Sequence, residues 1–252
     1  MNDHNGAVRY NRELSLDDAD PLARFAKRIT PAATVLDLGC GPGVLGRFTT
    51  ALKPCVFDAV EGDPAAAAVA QPHYRDIVNA DLQTADLARA LPDRRYDFIV
   101  LADVLEHLEA PGRLLRRLPP LLNPDGRLLI SIPNVGYAGL VSELLAGRFE
   151  YRSCGLIDRT HVRFFTRASL YRFLALNGFA IAAEDVIVKQ PAETEFGTAA
   201  LDALAPAVRA ALLAAPDAMT FQFLVEAIPA GAPAETGDLS QALIQGNLPS
   251  PV

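Results

Sequence analysis

The chain has 252 residues, half of them hydrophobic and 21% charged, which is ample for a buried core and excludes a largely disordered, collagen-like or coiled-coil protein. Lys and Arg number 23 against 30 Asp and Glu, a formal charge of −7, which argues against sequence-blind binding to nucleic acid, a process driven by cationic neutralisation of phosphates. No apolar run reaches the roughly 20 residues of a membrane span, and the first residues lack the basic and apolar regions of a signal peptide. Cys40, Cys55 and Cys154 form no CxxC pair, so a reducing, cytoplasmic setting is expected.

Residues 1–30 read as an N-terminal extension carrying one amphipathic helix near 20–29. From Thr34 a rhythm begins. Apolar runs at 34–38, 55–60, 76–79, 96–101 and 127–132 alternate with helix-like segments at 44–52, 64–70 and 113–122. Residues 123–126 (NPDG) read as a turn. Short apolar strands alternating with helices imply βαβ units and a parallel sheet buried on both faces, wound right-handed in both directions. The rhythm breaks at Pro133. Residues 134–165 read as an insert covering the substrate side, with a helix at 137–146. A helix at 167–177 follows, with Thr166 as N-cap and Gly178 at its end. Strands at 179–188 and 220–228 flank a helix at 199–214. The main domain is expected over 31–228, and 229–252, rich in Ala, Gly, Pro and Ser, as a flexible tail.

The sharpest local signal is Val35-Leu-Asp-Leu-Gly-Cys-Gly-Pro-Gly-Val-Leu-Gly46. Glycines between a strand and a helix let backbone approach a ligand closely. Gly41-Pro-Gly-Val-Leu-Gly46 matches G-x-G-x-x-G, with Glu61 20 residues after Gly41 at the end of the next strand. That is the pattern of a dinucleotide site, so a nicotinamide oxidoreductase is one reading. Asp37 argues against it: a carboxylate beneath the turn repels a pyrophosphate and attracts a cation.

These residues, with VEGDP, NADL, YDFIVLADVLEHL and LLNPDGRLLISIPN following in order, resemble the class I S-adenosylmethionine-dependent methyltransferases over about residues 33–228. The resemblance implies a Rossmann-like, doubly wound sheet of seven strands, mostly parallel, with 220–228 as the antiparallel last strand. It implies S-adenosylmethionine as cofactor. The residues expected at the cofactor are Asp37, Gly39, Cys40, Gly41 and Gly43 in the first motif, and Glu61, Gly62 and Asp63 at the ribose. Asp81 and Leu82 are expected at the adenine, and Ala102, Asp103 and Val104 on the rim after the fourth strand. A third reading is a methyltransferase-fold protein that acts as a non-catalytic partner.

Methyl transfer to a hydroxyl needs a proton acceptor, and histidine suits neutral pH. His107 follows the fourth strand. His161 lies in a block resembling the GxxDxTHxRFFT pattern of a bacterial subgroup acting on small molecules. Both are catalytic candidates. Arg159, Arg163 and Tyr137 are candidate substrate contacts, and six arginines between 148 and 172 suggest an anionic acceptor such as a sugar conjugate, with a phenol or secondary metabolite also in view. Asp103, Glu106, His107 and His161 include metal-ligating types, but their spacing also occurs in metal-free relatives, so no metal is expected. No nucleic-acid or membrane partner is expected.

Overall fold

The computed structural model of the chain describes residues 11–17 and 19–231. Most of the expected tail therefore lies outside the described residues. Helix α1 (Pro21–Arg28) starts where the Leu22 amide donates to the Asp20 carboxylate, and proline fills its first position. Its apolar side, with Phe25 and Ala26, packs beside α2 (Val44–Leu52).

Strand β1 (Thr34–Leu38) precedes α2, and the chain continues through β2 (Val56–Glu61), α3 (Pro64–Ala70), β3 (Asp76–Asn79), the short α4 (Leu87–Ala90) and β4 (Tyr96–Ala102). Then come α5 (Pro111–Leu115), β5 (Leu122–Pro133), α6 (Ala138–Leu145), α7 (Arg167–Leu176) and β6 (Phe179–Val188). Helices α8 (Ala199–Asp202) and α9 (Pro206–Leu213) lead into β7 (Thr220–Pro229). The seven strands form one sheet in the order β3-β2-β1-β4-β5-β7-β6. Strands β1 to β5 pair in parallel, and β7 runs antiparallel to both β5 and β6.

Alternating residues of each central strand feed two core layers, as a sheet covered on both faces requires. Leu36, Ile99, Leu101 and Ile130 join one cluster, while Val35, Phe98, Val100 and Leu129 join the other. A smaller third cluster unites Tyr137, Leu140, Leu156 and Ile157 of the 134–165 segment with Phe196 and Phe221. Strand order reverses between β1 and β4, so a crevice opens beyond their carboxyl ends. No helix among the described residues is long and apolar enough to cross a membrane.

Three expected elements are corrected. The 113–122 helix is α5 plus a separate 3-10 turn at Pro119–Leu121, because Pro119 and Pro120 lack amide donors. The 199–214 helix is divided at Pro206 for the same reason. The 123–126 turn lies inside β5: Leu122 pairs with Tyr96 and Arg127 with Phe98, so the four residues bulge from the ladder. Gly126 permits this, since a Cβ there would stand 2.7 Å from the Tyr96 carbonyl oxygen.

Candidate functional site

The glycine turn after β1 lies at the switch point. Gly43 caps α2 in the left-handed region at φ +80°, and a Cβ there would meet the Ala70 Cβ at 2.8 Å. The turn is thus pressed against α3. Gly41 is also left-handed at φ +53°, but where its side chain would project nothing lies within 4 Å. It faces open space. Cys40 is buried within the turn, and burial beside Asp37 and Glu61 pushes its thiol well above the usual range, which leaves it protonated and inert.

Asp37 is 3% exposed beneath the turn, on the core face that also holds Tyr74. The Tyr74 hydroxyl donates to its Oδ2 at 2.6 Å and accepts from the Gly46 amide at 3.2 Å. Burial pushes the Asp37 carboxyl up to about 7, and the nearby Glu61 charge adds to this while the Tyr74 bond opposes it. Sequence reading missed Tyr74, which carries no motif and meets Asp37 only through the fold. Replacing Tyr74 by Phe is expected to raise the Asp37 pKa further and leave it more neutral at pH 7. Affinity for S-adenosylmethionine should fall about tenfold, the effect of one charge-assisted hydrogen bond, and recover above pH 8. Calorimetric titration across pH measures this directly.

Glu61 is half-buried at the end of β2. One of its oxygens accepts from the Gly41 amide at 2.8 Å and the other from the Asp63 amide at 2.8 Å. Each oxygen keeps a second lone pair. Asp63 caps α3 by accepting from the Ala65 amide, and a Cβ on Gly62 would meet only the Ala80 carbonyl oxygen, at 3.8 Å. Asp81, exposed, accepts from the Gln83 amide in the turn after β3. Leu82 and Val104 are buried and converge on the turn: a Cβ on Gly39 would stand 2.9 Å from Val104 and 4.0 Å from Leu82.

Ala102 ends β4, and Asp103 follows in the left-handed region at φ +54°. The Asp103 carboxylate is turned towards the neighbouring strands, accepting from the Ser131 hydroxyl at 2.7 Å and the Gln222 amide at 2.9 Å. Burial pushes its pKa up, and these two bonds pull it back. The side chain is engaged by these two strands and is not one of the three groups that converge at the histidines, although its charge is felt there.

His107 ends a 3-10 turn at Leu105–His107, and His161 arrives from the 134–165 segment. Their ring centroids are 4.7 Å apart with the planes at 72°. The Val162 and Arg163 amides both donate to the Glu106 carbonyl, tying the two segments together. The sequence-distant histidines therefore share one site. The Glu106 side chain lies against this pair, one ligand atom of each of the three residues falling within 4.8 Å of the others; it is 1% exposed, and neither carboxylate oxygen hydrogen-bonds another residue. Burial, with Asp103 and Asp158 nearby, pushes its pKa far above the ordinary range.

The substrate-side candidates fare differently. Tyr137 is a correction: it is fully buried in the third core cluster, edge-on to Phe221, and its hydroxyl donates to the Lys189 carbonyl at 2.9 Å. A large aromatic flanked by apolar partners packs rather than lines an open wall. Arg163 is exposed, but its guanidinium donates to the carbonyls of Val162 and Glu109. Arg148 pairs with Glu143, and Arg167 with Asp217 and Glu184. Much of the basic stretch is thus neutralised internally. Arg159 is exposed beside Thr160. A pocket of about 210 Å³ lies between α6 and the loop behind it, lined in part by Arg148, Phe149, Arg152 and Phe196.

This sheet order, with the glycine turn and paired acids at its switch point, defines a Rossmann-like methyltransferase. A family model described as "Methyltransferase domain" matches residues 9–184, and the chain belongs to that family. Similar curated proteins include the ubiquinone biosynthesis O-methyltransferase of Coxiella burnetii (strain RSA 493 / Nine Mile phase I), 23% identical over 164 residues, 64% of this chain and 70% of that one. Its namesake in Azorhizobium caulinodans is 28% identical over 171 residues, 66% of each chain. Among solved structures, the magnesium protoporphyrin IX methyltransferase of Synechocystis PCC 6803 with bound SAH aligns with a TM-score of 0.53 at 19% identity, covering 83% of this chain and 80% of that one. That likeness speaks to the fold.

Proposed function

We propose that this protein transfers a methyl group from S-adenosylmethionine to an oxygen of a small-molecule acceptor, a sugar, phenol or secondary metabolite. One observation carries the reading: two carboxylates, Asp37 and Glu61, bracket the glycine turn. The Gly41 amide, which a dinucleotide phosphate would need, is already given to Glu61. Such a cleft suits a ligand bearing ammonium and sulfonium charges and repels a pyrophosphate. The O-methyltransferase names of the relatives agree with an oxygen acceptor.

Bound there, S-adenosylmethionine supplies the methyl group: the sulfonium carbon–sulfur bond breaks as the acceptor oxygen–carbon bond forms. Asp37 draws the cationic end down to the turn. The remaining lone pairs of Glu61 accept from the ribose hydroxyls, and Asp81 meets the adenine amino group. Leu82 and Val104 give the adenosine an apolar wall, and the backbone of Ala102 and Asp103 completes the rim. Open space at Gly41 leaves room for close approach. The acceptor hydroxyl proton leaves at the cluster of His107 and His161, and Arg159 steadies an acidic group on the acceptor.

Calorimetry with S-adenosylhomocysteine, using NAD as control, tests the cofactor. Binding of the former alone is the expected result, and binding of NAD alone would overturn the reading. Substituting His107 or His161 by Ala should leave S-adenosylhomocysteine binding intact and lower turnover about 100-fold or more. Undiminished turnover in both variants would remove the cluster from the mechanism.

A further inference from the structure

We propose that Glu106, His107 and His161 form a binding site for one divalent metal ion of the imidazole-preferring kind: zinc, manganese, iron or cobalt. Each residue offers one ligand atom, and these atoms all lie within 4.8 Å of one another. Ligands about 2.1 Å from a common ion stand roughly 3–3.5 Å apart, so small side-chain rotations close the site.

Glu106 is buried, and neither oxygen has a hydrogen-bond partner. A buried acid in that condition is costly unless something positive or donating faces it. No Lys or Arg forms an ion pair with it among the described residues. What faces it is two imidazoles.

The imidazole protons are placed by their partners. His161 Nδ1 lies 3.0 Å from the Leu156 carbonyl oxygen, which only accepts. Nδ1 therefore carries the proton, and in the neutral ring Nε2 carries the lone pair. Thr160 donates its hydroxyl proton to Asp158 Oδ1 at 2.7 Å, and the same oxygen lies 3.0 Å from His107 Nδ1. Having given its proton away, Thr160 accepts from His107 Nδ1, and again the lone pair belongs to Nε2. An outer bond on one ring nitrogen that leaves the other basic is the arrangement that orients metal-ligating histidines. Asp158, 2% exposed, anchors this outer shell, and the Thr160 amide donates to it as well.

Val104, which touches the glycine turn, opens the 3-10 turn that carries Glu106 and His107. Two imidazoles and one carboxylate select this class of ion over calcium or magnesium, and three protein ligands leave positions for water and an acceptor oxygen. Asp103, the fourth group that sequence brings into view, is engaged by Ser131 and Gln222 and is not among the converging ligand atoms. For turnover, and here the inference rests on the methyl-transfer reading, the acceptor hydroxyl would bind as the oxyanion. Its proton passes to solvent before the carbon–sulfur bond breaks and the oxygen–carbon bond forms. The ion then does what a free histidine base would otherwise do.

The test uses the untagged full chain, stripped with chelator and titrated with Co²⁺ alone, followed by its visible absorption. One Co²⁺ per chain is expected. Glu106→Gln and His161→Gln should each weaken binding by at least about 100-fold, and Thr160→Val, which loses only the outer bond, by about 10–100-fold. S-Adenosylhomocysteine binding should match the parent in every variant, showing that the fold is intact. Absence of Co²⁺ binding by the parent chain would overturn the proposal. So would parent-like Co²⁺ affinity in both Glu106→Gln and His161→Gln. Intact Co²⁺ binding with no S-adenosylhomocysteine binding would keep the metal site and sink the methyl-transfer reading instead.

Discussion

Replacing Asp37 by Asn is expected to weaken S-adenosylmethionine binding at least about 30-fold and, at pH 8, to raise the melting temperature of the ligand-free protein. The two effects share one cause. Burial lifts the Asp37 pKa from 3.8 to about 7, so the folded chain holds this proton more tightly than the unfolded chain does. For a raised carboxyl, stability is highest where both states are protonated, below about pH 4. It declines as pH climbs from there to about 7, and above that the full cost of a buried charge remains. A shift from 3.8 to about 7 corresponds to at most about 4 kcal/mol. Asn keeps the shape, accepts the Tyr74 hydroxyl through its own oxygen and has no charge to bury. The gain above neutral pH should be several degrees, and the pH slope between 4 and 7 should flatten. Losing a buried partner for a ligand cation costs about 2–5 kcal/mol, at least roughly 30-fold in affinity. Melting curves from pH 4 to 9 and calorimetry at pH 8 measure both. A lower melting temperature at pH 8 would show that Asp37 is ionised and stabilising without ligand. Undiminished binding would remove it from the site.

Gly43→Ala should cost about 2–5 kcal/mol of stability, a large share of what a domain of this kind has. Two costs add. A left-handed backbone at φ +80° charges an L-residue about 1–2 kcal/mol. The new methyl would also stand 2.8 Å from the Ala70 Cβ, 2.9 Å from its Cα and 3.0 Å from Tyr74, and a helix backbone yields poorly, which adds about 1–3 kcal/mol. Moving Tyr74 also disturbs the bond that holds Asp37. Gly41→Ala makes the comparison. It bears a similar backbone cost at φ +53° but meets no protein atom within 4 Å. Its methyl enters the cleft, so it should lose ligand binding with a smaller loss of stability. Denaturant unfolding beside calorimetry separates the two variants. Equal stabilities would show that α3 gives way and that the turn is looser than its contacts indicate.

Some of the candidate site was legible before any fold was known. The turn and its acids sit in two short stretches whose spacing alone points to a nucleoside-bearing ligand, and the structure brings Glu61 to the Gly41 amide. Residues of ordinary type were not legible. Nothing in the stretch around Tyr74 marks it, yet it joins Asp37 to the start of α2. Tyr137 reads as a pocket aromatic, and only its packing against Phe196 and Phe221 shows it to be core.

What the sequence determined by itself is local. Strands β1 and β3 and helices α2 and α3 fall on the segments that apolar runs and glycine or proline punctuation mark out, because propensity, caps and turns act over a few residues. Where prolines and a bulge intervene, at 119–120, 206 and 123–126, the boundaries shift by the same local rules. The tertiary structure alone decided which side chains meet. Asp103 is claimed by Gln222 from 119 positions away, so it leaves the cluster that its spacing suggests it joins. Glu106 meets both His107 and His161 because the amides of Val162 and Arg163 hydrogen-bond to its carbonyl in the Leu105–His107 turn. Such pairings depend on which strand ends the sheet order brings side by side, and periodicity along a chain carries no record of that order.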